Sequence, residues 1–216
     1  KQSYGSNASD VIKNVKSLME ELQKTTFPKG MHYDISYDVS KFLDASIEKV
    51  VHTLFEAFIL VAIVVFLFLG DWRSTLIPAL AVPVSLVGTF AVMSAFGITL
   101  NMISLFALVM AIGVVVDDAI VVIEAVHAKM EEKHLSPLKA TEEAMHEISG
   151  AIIAITLVMA SVFIPIAFMS GPVGVFYRQF SITMASSIIL SGVVALTLTP
   201  ALCALILKNN HGKEKK

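Results

Sequence analysis

Hydrophobic residues in this chain follow two different regimes. Up to about residue 39 they are periodic, and beyond about residue 50 they are almost continuous. Val11, Val15, Leu18 and Leu22 recur at helical spacing, and Ile12 and Met19 widen the stripe. Asn7 is a suitable N-cap for that helix, and Phe27-Pro28-Lys29-Gly30 is its stop. Met31, Tyr33, Ile35, Tyr37 and Val39 then alternate with polar residues, the pattern of a half-buried strand. One helix and one strand cannot enclose a core, so residues 1–39 are expected to be a partial α/β segment of a larger soluble unit.

The second regime predicts membrane-spanning helices. No charged residue occurs in 74–116, in 148–177 or in 179–207. A spanning helix needs about 20 apolar residues. The last two runs each fit one span, and the first is long enough for two, with the turn at Gly97-Ile98-Thr99-Leu100-Asn101. Five spans are expected, at about 50–70, 75–96, 100–125, 148–169 and 180–207. Asp71-Trp72-Arg73 separates the first two and Gly171-Pro172-Val173-Gly174 the last two. Pro78 and Pro83 fall inside the second, where neighbouring helices can satisfy the freed carbonyls. Residues 127–147 read as a charged connection within the 40–208 bundle, with a helix start at Ser136-Pro137, and 209–216 as a tail.

Charge fixes an orientation. Arg73, Lys129, Lys133, Lys139, Lys208, Lys213, Lys215 and Lys216 lie in connections on one side, and only Arg178 lies in the short turns of the other. The basic side is expected to be cytoplasmic. The N-terminal segment is then outside and the C-terminal tail inside. No basic stripe interleaved with aromatics points to nucleic acid. The single cysteine, Cys203, excludes an internal disulfide and reads as a small hydrophobe. No enzyme motif with nucleophile, base or metal spacing occurs. The chain opens at Lys1 without an initiator Met or a signal peptide, which suggests an excised or truncated piece.

Asp117 and Asp118 are the residues that a simple anchor would not contain. One Asp at the centre of a membrane helix costs about 2.5–3.5 kcal/mol, and these two are adjacent and flanked by valines. Neighbouring helix positions differ by about 100°, so at least one carboxylate must meet another helix or a wet cavity. Burial and mutual repulsion both disfavour the charged form, and the pair is expected to titrate as a coupled unit. The functional reading is a proton relay; the alternative is a structural ion pair. No basic residue lies between Arg73 and Lys129 to serve as counter-charge. Glu124, seven residues on, reads as a proton exit, a snorkelling interfacial carboxylate or a partner for Lys129. Glu56 reads as interfacial or as a helix-packing residue, and Arg178 as an interfacial anchor. Ala107, Ala111 and Gly113 allow close helix approach beside the aspartates.

At these residues a family resemblance emerges. Gly113-Val-Val-Val-Asp117-Asp118-Ala-Ile-Val-Val-Ile-Glu124 resembles the fourth-helix signature of resistance–nodulation–division (RND) efflux pumps. Arg73-Ser-Thr-Leu-Ile-Pro78-Ala-Leu-Ala-Val-Pro83-Val is similar to their third helix. Tyr177-Arg178-Gln179-Phe180-Ser181 and Thr197-Leu-Thr199-Pro200-Ala-Leu-Cys203 resemble stretches of later helices. The Asp-Asp pair, where metal exporters usually have Asp-Ala, points to the hydrophobe/amphiphile, or multidrug, branch. The resemblance implies a mostly α, polytopic bundle of helices two to six, one half of a pseudo-two-fold transporter, preceded by the end of a periplasmic porter subdomain. It implies drug/proton antiport with protons as the coupling ion and no cofactor, and Asp117 and Asp118 as the relay, met by a lysine from the second half. It also implies a bacterial inner-membrane location and, besides lipid, three sets of partners: the second membrane half and porter domain, two further protomers of a homotrimer, and a periplasmic adaptor with an outer-membrane channel. A non-drug RND protein (a metal exporter or protein-export accessory) and a non-transporting membrane scaffold are the competing readings.

Overall fold

The computed structural model describes residues 8–36, 38–98 and 100–208. Asn7, Tyr37, Thr99 and the tail 209–216 lie outside them, so the expected cap, one strand position and the tail are not assessed. Packing divides the chain into two units, one ending at Lys49 and one beginning at Val50.

In the first unit, α1 (Ala8–Thr25) carries the predicted apolar stripe. It ends where Thr26 and Phe27 donate backbone hydrogen bonds to the Leu22 carbonyl, just before Pro28. The expected strand does not form: the described residues from 31 to 36 have no regular structure. A strand needs a neighbouring strand for its backbone N–H and C=O groups, and none pairs with this stretch among the described residues. Local side-chain contacts organise it instead. Phe27 and Tyr33 stack edge to face, Gln23 Nε2 and His32 Nδ1 are 3.0 Å apart, and Lys16 pairs with Asp38 at 2.6 Å. The N-terminal segment is therefore α with an irregular extension rather than α/β.

The rest is helical. α2 (Val39–Leu69) becomes continuously apolar from Ile47. It is followed by α3 (Trp72–Ala95), α4 (Met102–Lys133), α5 (Pro137–Ile166), α6 (Pro172–Leu196) and α7 (Leu198–Ile206). Among the described residues, five stretches are long and apolar enough to cross a membrane, with α6 and α7 forming one of them, Val173–Ile206. Local chemistry sets the ends. Asp71 accepts from the Arg73 N–H at 3.2 Å to cap α3. Asn101 and Ser104 form a reciprocal capping box on α4. Pro137 occupies the first turn of α5, where its missing N–H costs nothing. Gly97 and Gly171 take positive φ in the turns where their lack of a Cβ is needed. The last span breaks at Thr197, whose backbone leaves the helical region. Pro200 cannot donate to residue 196, so the ladder is interrupted there.

The largest departure from expectation is at residues 127–147. α4 continues to Lys133 and α5 starts at Pro137, leaving three residues between them. At 1.5 Å per residue each helix is about 45–48 Å long, against a hydrocarbon core of about 30 Å. The charged stretch is thus the projecting end of a helical hairpin. Lys129–Glu147 (2.6 Å) and Lys133–Glu143 (2.5 Å) clasp its two arms.

α4 is the centre of the bundle. Ala107, Leu108, Ala111, Ile112, Val122, Ile123 and Val126 are each at most 1% exposed, packed by α3, α5, α6 and α7. Without a hydrophobic drive between membrane helices, close packing of small residues supplies the cohesion.

Candidate functional site

Adjacent positions on α4 send the two aspartates to different surroundings. Asp118 is half-buried and turns towards α6, where Ser191 Oγ donates to its Oδ2 at 2.5 Å. The same hydroxyl lies 3.5 Å from the Val115 carbonyl. Asp117 is exposed and has no hydrogen-bond or ion-pair partner among the described residues. It lies on a strip of exposed positions at helical spacing: Phe106, Met110, Gly113, Asp117, Val121 and Glu124. A carboxylate on an open face of an apolar helix is placed to meet water or a further protein element.

Ser191 is the residue of the candidate site that sequence reading missed. The signal was present as hydroxyls at Thr183, Ser187 and Ser191, four residues apart and all buried on α6. Thr183 and Ser187 donate to the carbonyls of Gln179 (2.8 Å) and Thr183 (2.9 Å). Ser191 reaches across to Asp118 instead. In a helix the residues of such a stripe share one face, and here the face meets α4.

The other sequence-predicted residues separate clearly. Ala107 and Ala111 pack with Ala160 of α5 and Met184 and Ile188 of α6, as close-approach residues should. Gly113 does not share that role: nothing lies within 4 Å of where its Cβ would stand. Close approach occurs instead at Gly192, whose Cβ would meet Thr156 Oγ1 of α5 at 2.5 Å, and at Gly88, beside Leu190 at 3.2 Å. Glu124 is exposed on the Asp117 strip and does not pair with Lys129, which binds Glu147. Glu56 is exposed and pairs one turn back with His52 at 3.2 Å, a local contact rather than a helix-packing one.

Two polar links hold α4 at its ends. Near its C-terminal end, Ser74 Oγ lies 2.8 Å from His127 Nε2 and 3.3 Å from Asp71 Oδ2, tying α4 to the start of α3. At its start, Asn101 donates to Gln179 of α6. The aspartates are thus carried on a helix fixed at both ends.

A family model described as the AcrB/AcrD/AcrF family matches residues 1–216. The chain belongs to that family. Its relatives are RND pumps for drugs and solvents. The chain is 51% identical over 208 residues, 96% of its length, to the multidrug export protein AcrF of Escherichia coli (strain K12). It is 48% identical over 217 residues, 99% of its length, to the solvent-resistant pump membrane transporter SrpB of Pseudomonas putida. It is 49% identical over 208 residues to the multidrug resistance protein MdtF of E. coli (strain K12). The chain spans about a fifth of the length of these relatives, 20%, 21% and 20% respectively. In this AcrB/AcrD/AcrF-family bundle, the site is a carboxylate pair on a fixed central helix, one member held by a serine and the other on an open face.

Proposed function

We propose that this chain forms one membrane half of a proton-driven exporter of drugs and organic solvents, and that Asp117 and Asp118 relay the protons. The observation that carries the reading is the division of the pair: Asp118 is bound to Ser191 within the bundle, while Asp117 stands on a mid-membrane face open to a further element. A proton can then be exchanged between a fixed carboxyl and one whose surroundings change. The relatives' names, which speak of drug export and solvent resistance, favour this substrate class over metal export.

The wider assembly follows from the same reading. The exposed strip of α4 receives the second membrane half, which brings the counter-cation. The pump stands in the bacterial inner membrane as a homotrimer with a porter domain, a periplasmic adaptor and an outer-membrane channel. The N-terminal segment and the Gly97 and Gly171 turns face the periplasm; the Lys129–Glu147 hairpin tip faces the cytoplasm. Each proton moving inward gains about 2.3 kcal/mol per 100 mV, ample for uphill export. Alternating access needs one repeat to rock against another, so this half works as part of the complete transporter.

The test is transport by the complete transporter in liposomes under an imposed pH gradient. Dye movement should follow the gradient, stop on adding a protonophore and be accompanied by proton flux of opposite direction. Dye transport that is unchanged when the gradient is abolished contradicts the antiport reading.

A further inference from the structure

A second feature of the bundle lies away from the aspartates. A cavity of about 860 Å³ opens between the end of α3, the end of α5 and the first half of α6. Its size is in the range of about 300–1,000 Å³ typical of small-molecule sites. Phe96, Phe163, Phe168, Ile182 and Leu190 give it apolar walls. Along α6 the lining runs from Gly171 to Leu190, about 28 Å at 1.5 Å per residue, so the cavity is elongated along the membrane normal.

Its one charged side chain lies in the half nearer Gly171. Arg178 lines the cavity, is exposed, and forms no ion pair among the described residues. It is the only Lys or Arg in 140–207, and no Asp or Glu occurs in 148–207. The walls therefore carry a single formal charge, and it is positive. The α6 N-terminus borders the same end through Gly171 and Gly174, and no side chain caps it; Pro172 has no N–H, so Val173 and Gly174 carry its first helical N–H groups. Ser181, also on the wall, is fully buried, and its Oγ has no hydrogen-bond partner among the described residues.

We propose that this cavity is a binding site for an anionic phospholipid of the surrounding membrane. An acyl chain lies along Ile182, Ala185 and Leu190, further down α6, and the phosphate is held by Arg178 and the α6 N-terminus. Charge complementarity selects this occupant. A helix of the same protein would bring a self-satisfied backbone and leave Arg178 and the α6 N–H groups unanswered. A zwitterionic lipid would place its own cation beside Arg178. No residue of the Asp117 strip lines the cavity, and lipid there would brace α3, α5 and α6 against one another.

The experiment uses the complete transporter in liposomes of phosphatidylethanolamine and phosphatidylglycerol, each lipid supplied in turn with a photoreactive acyl chain. Labelled phosphatidylglycerol should attach to the α5–α6 turn and the first half of α6. Arg178→Gln should reduce that labelling about fivefold, the worth of one basic residue at an anionic surface, while Arg178→Lys should retain most of it. Ala185→Trp, which fills the cavity and keeps Arg178, should abolish labelling at these positions only. Equal labelling by both lipids, labelling indifferent to Arg178→Gln, or cross-links from these positions to another segment of the protein would each overturn the assignment.

Discussion

On one side of α4, Ala107, Ala111 and Val122 are completely buried against α3, α5 and α6. On the other, Phe106 is 58%, Met110 50% and Val121 43% exposed. Each side carries one aspartate. The closed side gives Asp118 a serine at 2.5 Å. The open side leaves Asp117 beside Gly113, which has no neighbour within 4 Å. The contrast teaches that two adjacent, chemically identical residues stand in different surroundings because a helix turns about 100° between them. One is fixed by the bundle, and the other is addressed to whatever meets the open face.

The strongest way to break this comparison is to remove each carboxylate in turn. Asp117→Asn and Asp118→Asn in the complete transporter are each expected to abolish proton-coupled efflux without preventing membrane insertion. Substrate accumulation in cells with matched membrane levels checks this, and normal efflux by both variants would remove the relay from the account. A smaller effect separates the packing on the two sides. Gly192→Ala places a methyl against Thr156 and should cost about 1–3 kcal/mol of bundle stability, the usual range for overpacking. Gly113→Ala in this chain should be neutral or slightly stabilising, because its site is open. Thermal unfolding of the chain in detergent reads both, and equal losses would mean that the two sides are not packed differently. The smallest effect is at Ser191. Ser191→Ala removes an interhelical hydrogen bond of about 0.6 kcal/mol, so efflux and its pH profile should change by roughly threefold rather than collapse. Complete loss on this substitution would make the serine an obligatory proton carrier instead of a positioning group.

Four of the five spans and their turns were legible from long charge-free runs, and the first, with Glu56 inside it, from the continuous apolar run 57–70. The aspartates were legible for the same reason, as charges where charge is expensive. Three features were not. The strand at 31–39 had the right alternation, but alternation does not supply a pairing partner: residues 31–36 are irregular and Val39 already opens α2. The 127–147 stretch looked like a connection because it is charged, yet charge on a helix that projects beyond the membrane is compatible with continuous α4 and α5. Pairs such as Lys129–Glu147 form across the hairpin, which composition cannot reveal. Gly113 was taken for a packing glycine from its proximity to the aspartates. The sequence shows that a glycine permits approach but not whether a helix uses it, and here Gly192 and Gly88 are the ones used. Ser191 was hidden because serines in a membrane helix usually bond their own backbone. Only the α4–α6 packing shows that this one reaches Asp118.

The central claim is that Asp117 and Asp118 themselves gain and lose protons as the transporter works. Infrared difference spectroscopy of the complete transporter in lipid, stepped in pH, reads carboxylic-acid bands directly. The account predicts bands that rise and fall with pH in the wild type, change when either Asp117→Asn or Asp118→Asn is introduced, and vanish in the double variant. PH-dependent carboxyl bands identical in the wild type and the double variant would contradict it.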